Sequence, residues 1–117
     1  MRPRLTADFW VKAHIRRLSG RDIPAMLVRR GDATAGAVLI KINLLDGRAR
    51  VLSSATGLDG NRLWLSATGP EPVPEPEADA YIGRQIGRDP DLWVVEVEDR
   101  EGRHLLDDPV DPPDPFG

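Results

Sequence analysis

Any chemistry in this chain must come from a short list of residues, because its 117 residues hold no cysteine and only two histidines, His14 and His104. Disulfides, thiol catalysis and thiolate metal sites are therefore excluded. A zinc site would need carboxylates to complete its ligand set, yet no HExxH pattern or His/Asp cluster is present. Ser19, Ser53, Ser54 and Ser66 could serve as nucleophiles, but there is no G-x-S-x-G elbow and no spacing that pairs a serine with a histidine. The repeated Ser-Ala-Thr-Gly at residues 54–57 and 66–69 invites a phosphate-cradle reading. Its spacing fits neither the dinucleotide fingerprint nor the P-loop, and the acidic EPVPEPE at residues 71–77 would repel a phosphate. Two similar strand ends account for the repetition better. The reading leans away from an enzyme, with no cofactor or metal expected. One constellation remains open to catalysis, a site between Trp10, Arg17, Tyr81 and Arg84.

The elements that would carry these residues follow from periodicity. Residues 5–18 read as a helix with Thr6 as N-cap, Asp8 in the first turn, and Ala7, Val11, Ile15 and Leu18 as its apolar stripe. His14 lies on the flank of that stripe, where a half-buried histidine is expected rather than a ligand. Ser19-Gly20 ends the helix, with Gly20 suited to a left-handed conformation. Residues 25–52 then hold three apolar runs divided by Gly31-Asp32-Ala33-Thr34 and by Asp46-Gly47. They predict a three-stranded antiparallel meander with residues 37–45 at its centre. A two-residue loop at Asp46-Gly47 would set Asn43 opposite Arg50 and Ile42 opposite Val51. Val38, Ile40, Ile42, Leu44, Ala49 and Val51 would then face the core. Leu39, Lys41, Asn43, Arg48, Arg50 and Leu52 would share the other face, half apolar and half basic.

Residues 62–66 make a fourth strand containing Trp64. The Pro/Glu segment leads into a second helix with Pro76 at its first position and Ala78, Ile82 and Ile86 as its stripe. That helix ends before Asp89-Pro90, and residues 91–99 form a last strand. There Glu96 and Glu98 are available to Lys41, Arg48 or Arg50. The expected fold is α+β: one small domain over residues 1–105, a mainly antiparallel sheet of about five strands, two helices, in the order α-β-β-β-β-α-β. Residues 106–117, acidic and proline-rich, are expected to be an irregular tail.

Charge is divided unevenly. Residues 1–62 carry 12 Lys/Arg against 5 Asp/Glu, and residues 63–117 carry 4 against 14, with −3 overall. A basic half suggests nucleic acid, but a single-strand binder interleaves aromatics with its cations, and this chain has three Trp, two Phe and one Tyr. The two halves folding against each other explains the asymmetry more simply. No run approaches a membrane span, and the N-terminus has no apolar core of a secretory signal. A cytoplasmic location is expected.

Three blocks carry a resemblance: DFWV at residues 8–11, RRGD at 29–32 with AGAV at 35–38, and DPDLWVVEVED at 89–99. Together they resemble a family of short bacterial proteins catalogued only as a domain of unknown function. The resemblance implies a stand-alone protein of about this size and supplies no catalytic residue, ligand or partner. The favoured function is a non-enzymatic protein-interaction module, a homodimer through an edge strand or the exposed part of the sheet being one form of it. Met26, Val28, Leu39 and Leu52 are its apolar candidates. The candidate interaction surface comprises Trp10, Arg17, Arg29, Arg30, Asp32, Lys41, Arg48, Arg50, Tyr81 and Arg84. Nucleic-acid association is the alternative, and an enzyme the third reading.

Overall fold

Thr6 begins the ordered helix as the spacing predicts: its hydroxyl accepts from Phe9 N–H at 3.2 Å. The computed structural model describes residues 5–112. Helix α1 (Ala7–Ser19) is followed by β1 (Ala25–Arg29), β2 (Val38–Asn43), β3 (Arg48–Thr56), β4 (Arg62–Ser66) and the two-residue β5 (Val73–Pro74). Helix α2 (Glu75–Arg88), β6 (Trp93–Glu98) and a second two-residue strand, β7 (Val110–Asp111), complete the order. The fold is α+β, with two helices and a mixed sheet in which the strands run β1-β6-β2-β3-β4-β7, and β5 pairs with β3.

The strand order departs from the predicted meander. β6 lies between β1 and β2, antiparallel to β1 and parallel to β2, so the antiparallel meander is formed by β2, β3 and β4. The reason lies in the middle run itself. Five of the six residues of β2 are buried, which leaves both its edges and both its faces to be covered, and a strand buried on both faces reads as a continuous apolar run. β6, with four of its own six residues buried, supplies the second apolar edge that β1, largely exposed, does not.

The hairpin register is also shifted by one residue. Ile42 pairs with Arg50 and Asn43 with Ala49, because the loop holds three residues, Leu45, Asp46 and Gly47, with Leu45 at φ 61° and Gly47 at φ 89°. Asn43 Oδ1 accepts from Leu45 N–H at 2.8 Å and supports that turn. A shift of one exchanges the faces of the whole strand. Leu52 therefore joins Val38, Ile40, Ile42 and Leu44 against Ala7, Val11 and Leu18 of α1, whereas Ala49 and Val51 join Leu39 against Ala78 and Ile82 of α2. One helix covers each face. The second face is not an open half-basic surface, since Leu39 and Leu52 are both buried.

Smaller differences follow the same logic. His14 sits at the centre of the buried stripe of α1 while Ile15 is only partly covered. Gly20 takes a right-handed conformation, and the left-handed residue is Asp22 at φ 59°. Helix α2 stops at Arg88, ahead of Asp89-Pro90. Within the segment expected to be irregular, Val110 and Asp111 pair with Trp64 and Leu65 of β4; residues 113–117 lie outside the described part.

Candidate functional site

The three blocks that carry the family resemblance meet at one corner, where the start of α1, the loop after β1 and the start of β6 pack together. The loop caps the helix: the amides of Ala7 and Asp8, at the end of α1 where N–H groups have no intrahelical acceptor, donate to Thr34 O at 3.1 Å and Ala33 O at 3.0 Å. Asp32 holds the loop closed, its Oδ2 accepting from Thr34 N–H and Ala35 N–H at 3.2 and 2.9 Å. The Asp32 N–H donates to Asp91 O at 2.9 Å, and Trp93 Nε1 donates to Asp32 O at 2.7 Å. Glycine is required at two places in this loop, since a Cβ at Gly31 or Gly36 would come within 2.2 or 2.4 Å of Asp91 O.

Arg29 and Arg30 finish the corner from opposite sides. Arg29 Nη1 donates to the carbonyls of Pro90 and Leu92 at 3.0 and 2.7 Å, tying the end of β1 to the turn after α2. Arg30 lies over the Trp93 ring at 5.5 Å and pairs with Asp8 at 3.5 Å. Arg29, Arg30 and Asp32, three of the predicted surface residues, are thus brought together, and each is bound into the corner.

Beside this corner β1 forms one end of the sheet. Met26, Leu27 and Val28 are exposed at 43, 44 and 57%. Glu98 N–H donates to Pro24 O at 2.9 Å, and in the alternating pattern of an antiparallel ladder Met26 is the next residue bonded to β6. The N–H and C=O of Ala25 and Leu27 therefore point away from the sheet. Val28 is the extra residue of a bulge, between Leu27 opposite Val95 and Arg29 opposite Val94. Bulges twist an edge and shorten the ladder it can offer.

The other predicted residues are dispersed. Lys41 is buried on the α2 face, 2.7 Å from Glu75 and from Asp79 and 3.4 Å from Glu96. Arg48 pairs with Asp46 at 2.7 Å. Arg50, buried on the α1 face, donates to Ser66 Oγ at 3.2 Å. Trp10 and Arg17 belong to α1, Tyr81 and Arg84 to α2, and the two helices cover opposite faces, so these four do not converge on a common site. Arg17 lines a shallow depression of about 460 Å³ with Gly20, Arg21, Leu105 and Asp107, but its guanidinium is already held by Asp107 and by Leu105 O. Among the described residues no group of three metal-ligating side chains forms.

Three partnerships were not visible in the sequence. Asp8 looked like a helix-dipole residue, but it receives both Lys12 and Arg30. Asp79 looked like a first-turn residue of α2 and Glu75 like part of the extended segment before it, and both instead grip Lys41. His14 Nε2 donates to His104 O at 2.9 Å. The spacing of Ala7, Val11, His14 and Leu18 could have set the histidine among core positions, but it carries no signal of the His104 carbonyl.

The class this architecture defines is a small α+β protein whose mixed sheet has one helix on each face. The chain belongs to the family described as "Protein of unknown function (DUF1491)", whose model matches residues 5–107. It is similar to a DUF1491 family protein from Caulobacter crescentus CB15, solved as a crystal structure (47% identity, 92% of this chain and 99% of that one, TM-score 0.83). An NMR structure of a DUF1491 family protein from the same organism is 48% identical over 91% and 96% of the two chains, with a TM-score of 0.79. The solution structure of protein Atu0922 from A. tumefaciens is 28% identical over 91% and 97%, with a TM-score of 0.73. No curated protein matches the chain.

Proposed function

We propose that this protein is a non-enzymatic interaction module that associates with a second copy of itself through the outer edge of β1, which no strand among the described residues covers. The observation that carries this reading is the edge itself, with three consecutive exposed apolar residues and outward backbone groups at Ala25 and Leu27. Sheets normally blunt such an edge with charge or cover it, whereas a partner strand satisfies it by adding to the sheet. The pattern of β1 is self-complementary. An antiparallel pairing centred on Leu27 sets Met26 against Val28 of the second copy and Ala25 against its Arg29, so no like charges meet within the strand. The bulge at Val28 keeps the ladder short, which favours a reversible dimer. The matched relatives come from two bacteria, and a cysteine-free chain suits the reducing cytoplasm we place it in.

Light scattering across a concentration series tests the reading. Wild-type protein should pass from monomer to dimer, and Leu27→Lys should raise the dissociation constant at least tenfold without altering the circular dichroism spectrum. A wild-type protein that stays monomeric at millimolar concentration ends the proposal.

A further inference from the structure

Residues 104–112 cross the α1 side of the sheet and finish on the outer edge of β4. There Trp64 N–H donates to Pro109 O at 2.8 Å, Ser66 Oγ donates to Pro112 O at 3.4 Å, and β7 adds two residues of parallel ladder. The upstream anchor is α1. Arg17 reaches Asp107 at 3.0 and 3.2 Å and Leu105 O at 2.6 Å, but the two charged side chains remain 48 and 80% exposed, and ion pairs so solvated hold weakly. The contact made by His14 is different. Its side chain is buried, its ring stacks on Trp10 at 4.8 Å with 13° between planes, and Trp10 lies 5.3 Å from Trp64.

We infer that residues 104–112 are a removable strap over the β4 edge, latched by neutral His14 and let go when His14 takes up a proton. A backbone carbonyl can only accept, so the bond to His104 O requires the Nε2–H form, and that bond is satisfied without a charge. A second proton would place a charge on a largely buried ring. The groups around it are Arg17 on its own helix, His104 and Asp107 on the strap, and Arg62 of β4, which lies 5.1 Å over the Trp10 ring. Among these the His104 carbonyl and Asp107 favour the charged ring, and Arg17 opposes it. Burial, the dominant cause, is opposed by the His104 carbonyl and reinforced by Arg17, and it brings the His14 pKa from 6.5 down to about 4.

The direction of the effect follows. A released His14 regains its ordinary pKa, so the open form binds the proton more tightly than the latched form. The latch is in full force above pH 6.5 and weakens as the pH falls, favouring release about 30-fold by pH 5 and about 300-fold below pH 4. Opening leaves the backbone edge of β4 and the Trp10–Trp64 pair accessible, at the opposite end of the sheet from β1.

Amide hydrogen exchange followed by NMR, corrected for intrinsic rates, tests the latch between pH 7 and 4.5. Protection at Trp64 and Asp111 should fall about 30-fold by pH 5 while amides of β2 and β6 keep theirs. His14→Gln retains a donor for His104 O but cannot titrate there, and its strap protection should be flat over the same range. Unchanged strap protection in the wild type, the same fall in the variant, or simultaneous loss in β2 and β6 each overturns the inference. The ring resonances of His14 in the wild type give a check that needs no variant: a midpoint near 6.5 at neutral-pH protection levels also overturns it.

Discussion

Lys41 shows how a single residue can look like surface and serve as core. Its ammonium is buried on the α2 side of β2, with Glu75 and Asp79 reaching it from α2 and Glu96 from β6. Burial pulls its pKa down, but the hydrogen bonds it donates to Asp79 and Glu75 and the charge of Glu96 outweigh that and hold it above the ordinary 10.5. Because the folded value is raised, the stability this cluster contributes is fully present below pH 10.5 and is lost only as the pH climbs through the folded value. Lys41→Met should cost about 2 kcal/mol in urea melts at pH 7. That is below the usual loss for breaking a buried pair, because Glu75 and Asp79 are partly exposed and can rehydrate. The sequence marked Lys41 as a cation among apolar neighbours and offered Glu96 as a partner. It gave no sign of Glu75 or Asp79, because that pairing depends on where α2 lands rather than on any spacing within the chain.

Elements with local signals were legible, and those that depend on distant pairing were not. Thr6 as N-cap, the extent of β4 and the stop of α2 before Asp89-Pro90 all rest on contacts within a few residues. The hairpin at Asp46-Gly47 failed by one position because Leu45, a residue that rarely adopts positive φ, takes it here. The meander failed because β6, far along the chain, outcompetes β1 for the edge of β2. The loop of residues 30–37 offers a sharp test of the corner built on Asp91 and Trp93. Gly36→Ala would drive a Cβ against Asp91 O and against Trp93 Cδ1 at 2.8 Å, and overpacking against backbone should cost up to about 3 kcal/mol in chemical denaturation.

Across the whole molecule, the basic and acidic halves meet. Lys41 pairs with Glu75, Asp79 and Glu96, and Arg17 with Asp107, while Arg48, Arg30 and Lys12 find Asp46 and Asp8 within the first half. Cations already committed to carboxylates are poorly placed to release counterions from a phosphate backbone. We therefore expect titrations against single- and double-stranded DNA and RNA at low salt to give no affinity with the steep salt dependence that several phosphate contacts impose. A slope equivalent to several contacts would restore the nucleic-acid reading. No helix among the described residues is long and apolar enough to cross a membrane.

The place of β6 also fixes an order of events during synthesis. Ala25 pairs with Val97 and Val38 with Trp93, so neither β1 nor the inner edge of β2 finds its neighbour until nearly the whole chain has been made. Until then the β2–β3–β4 meander can close by local contacts, but its most apolar strand keeps one side open and β1 has nothing to pair with. Closure over so long a loop is slow relative to hairpin formation. The nascent protein thus passes through a stage in which the inner edge of β2, the outer edge of β4 and both sides of β1 are uncovered; residues 93–98 then cover β2 and one side of β1, and Val110 and Asp111 follow on β4.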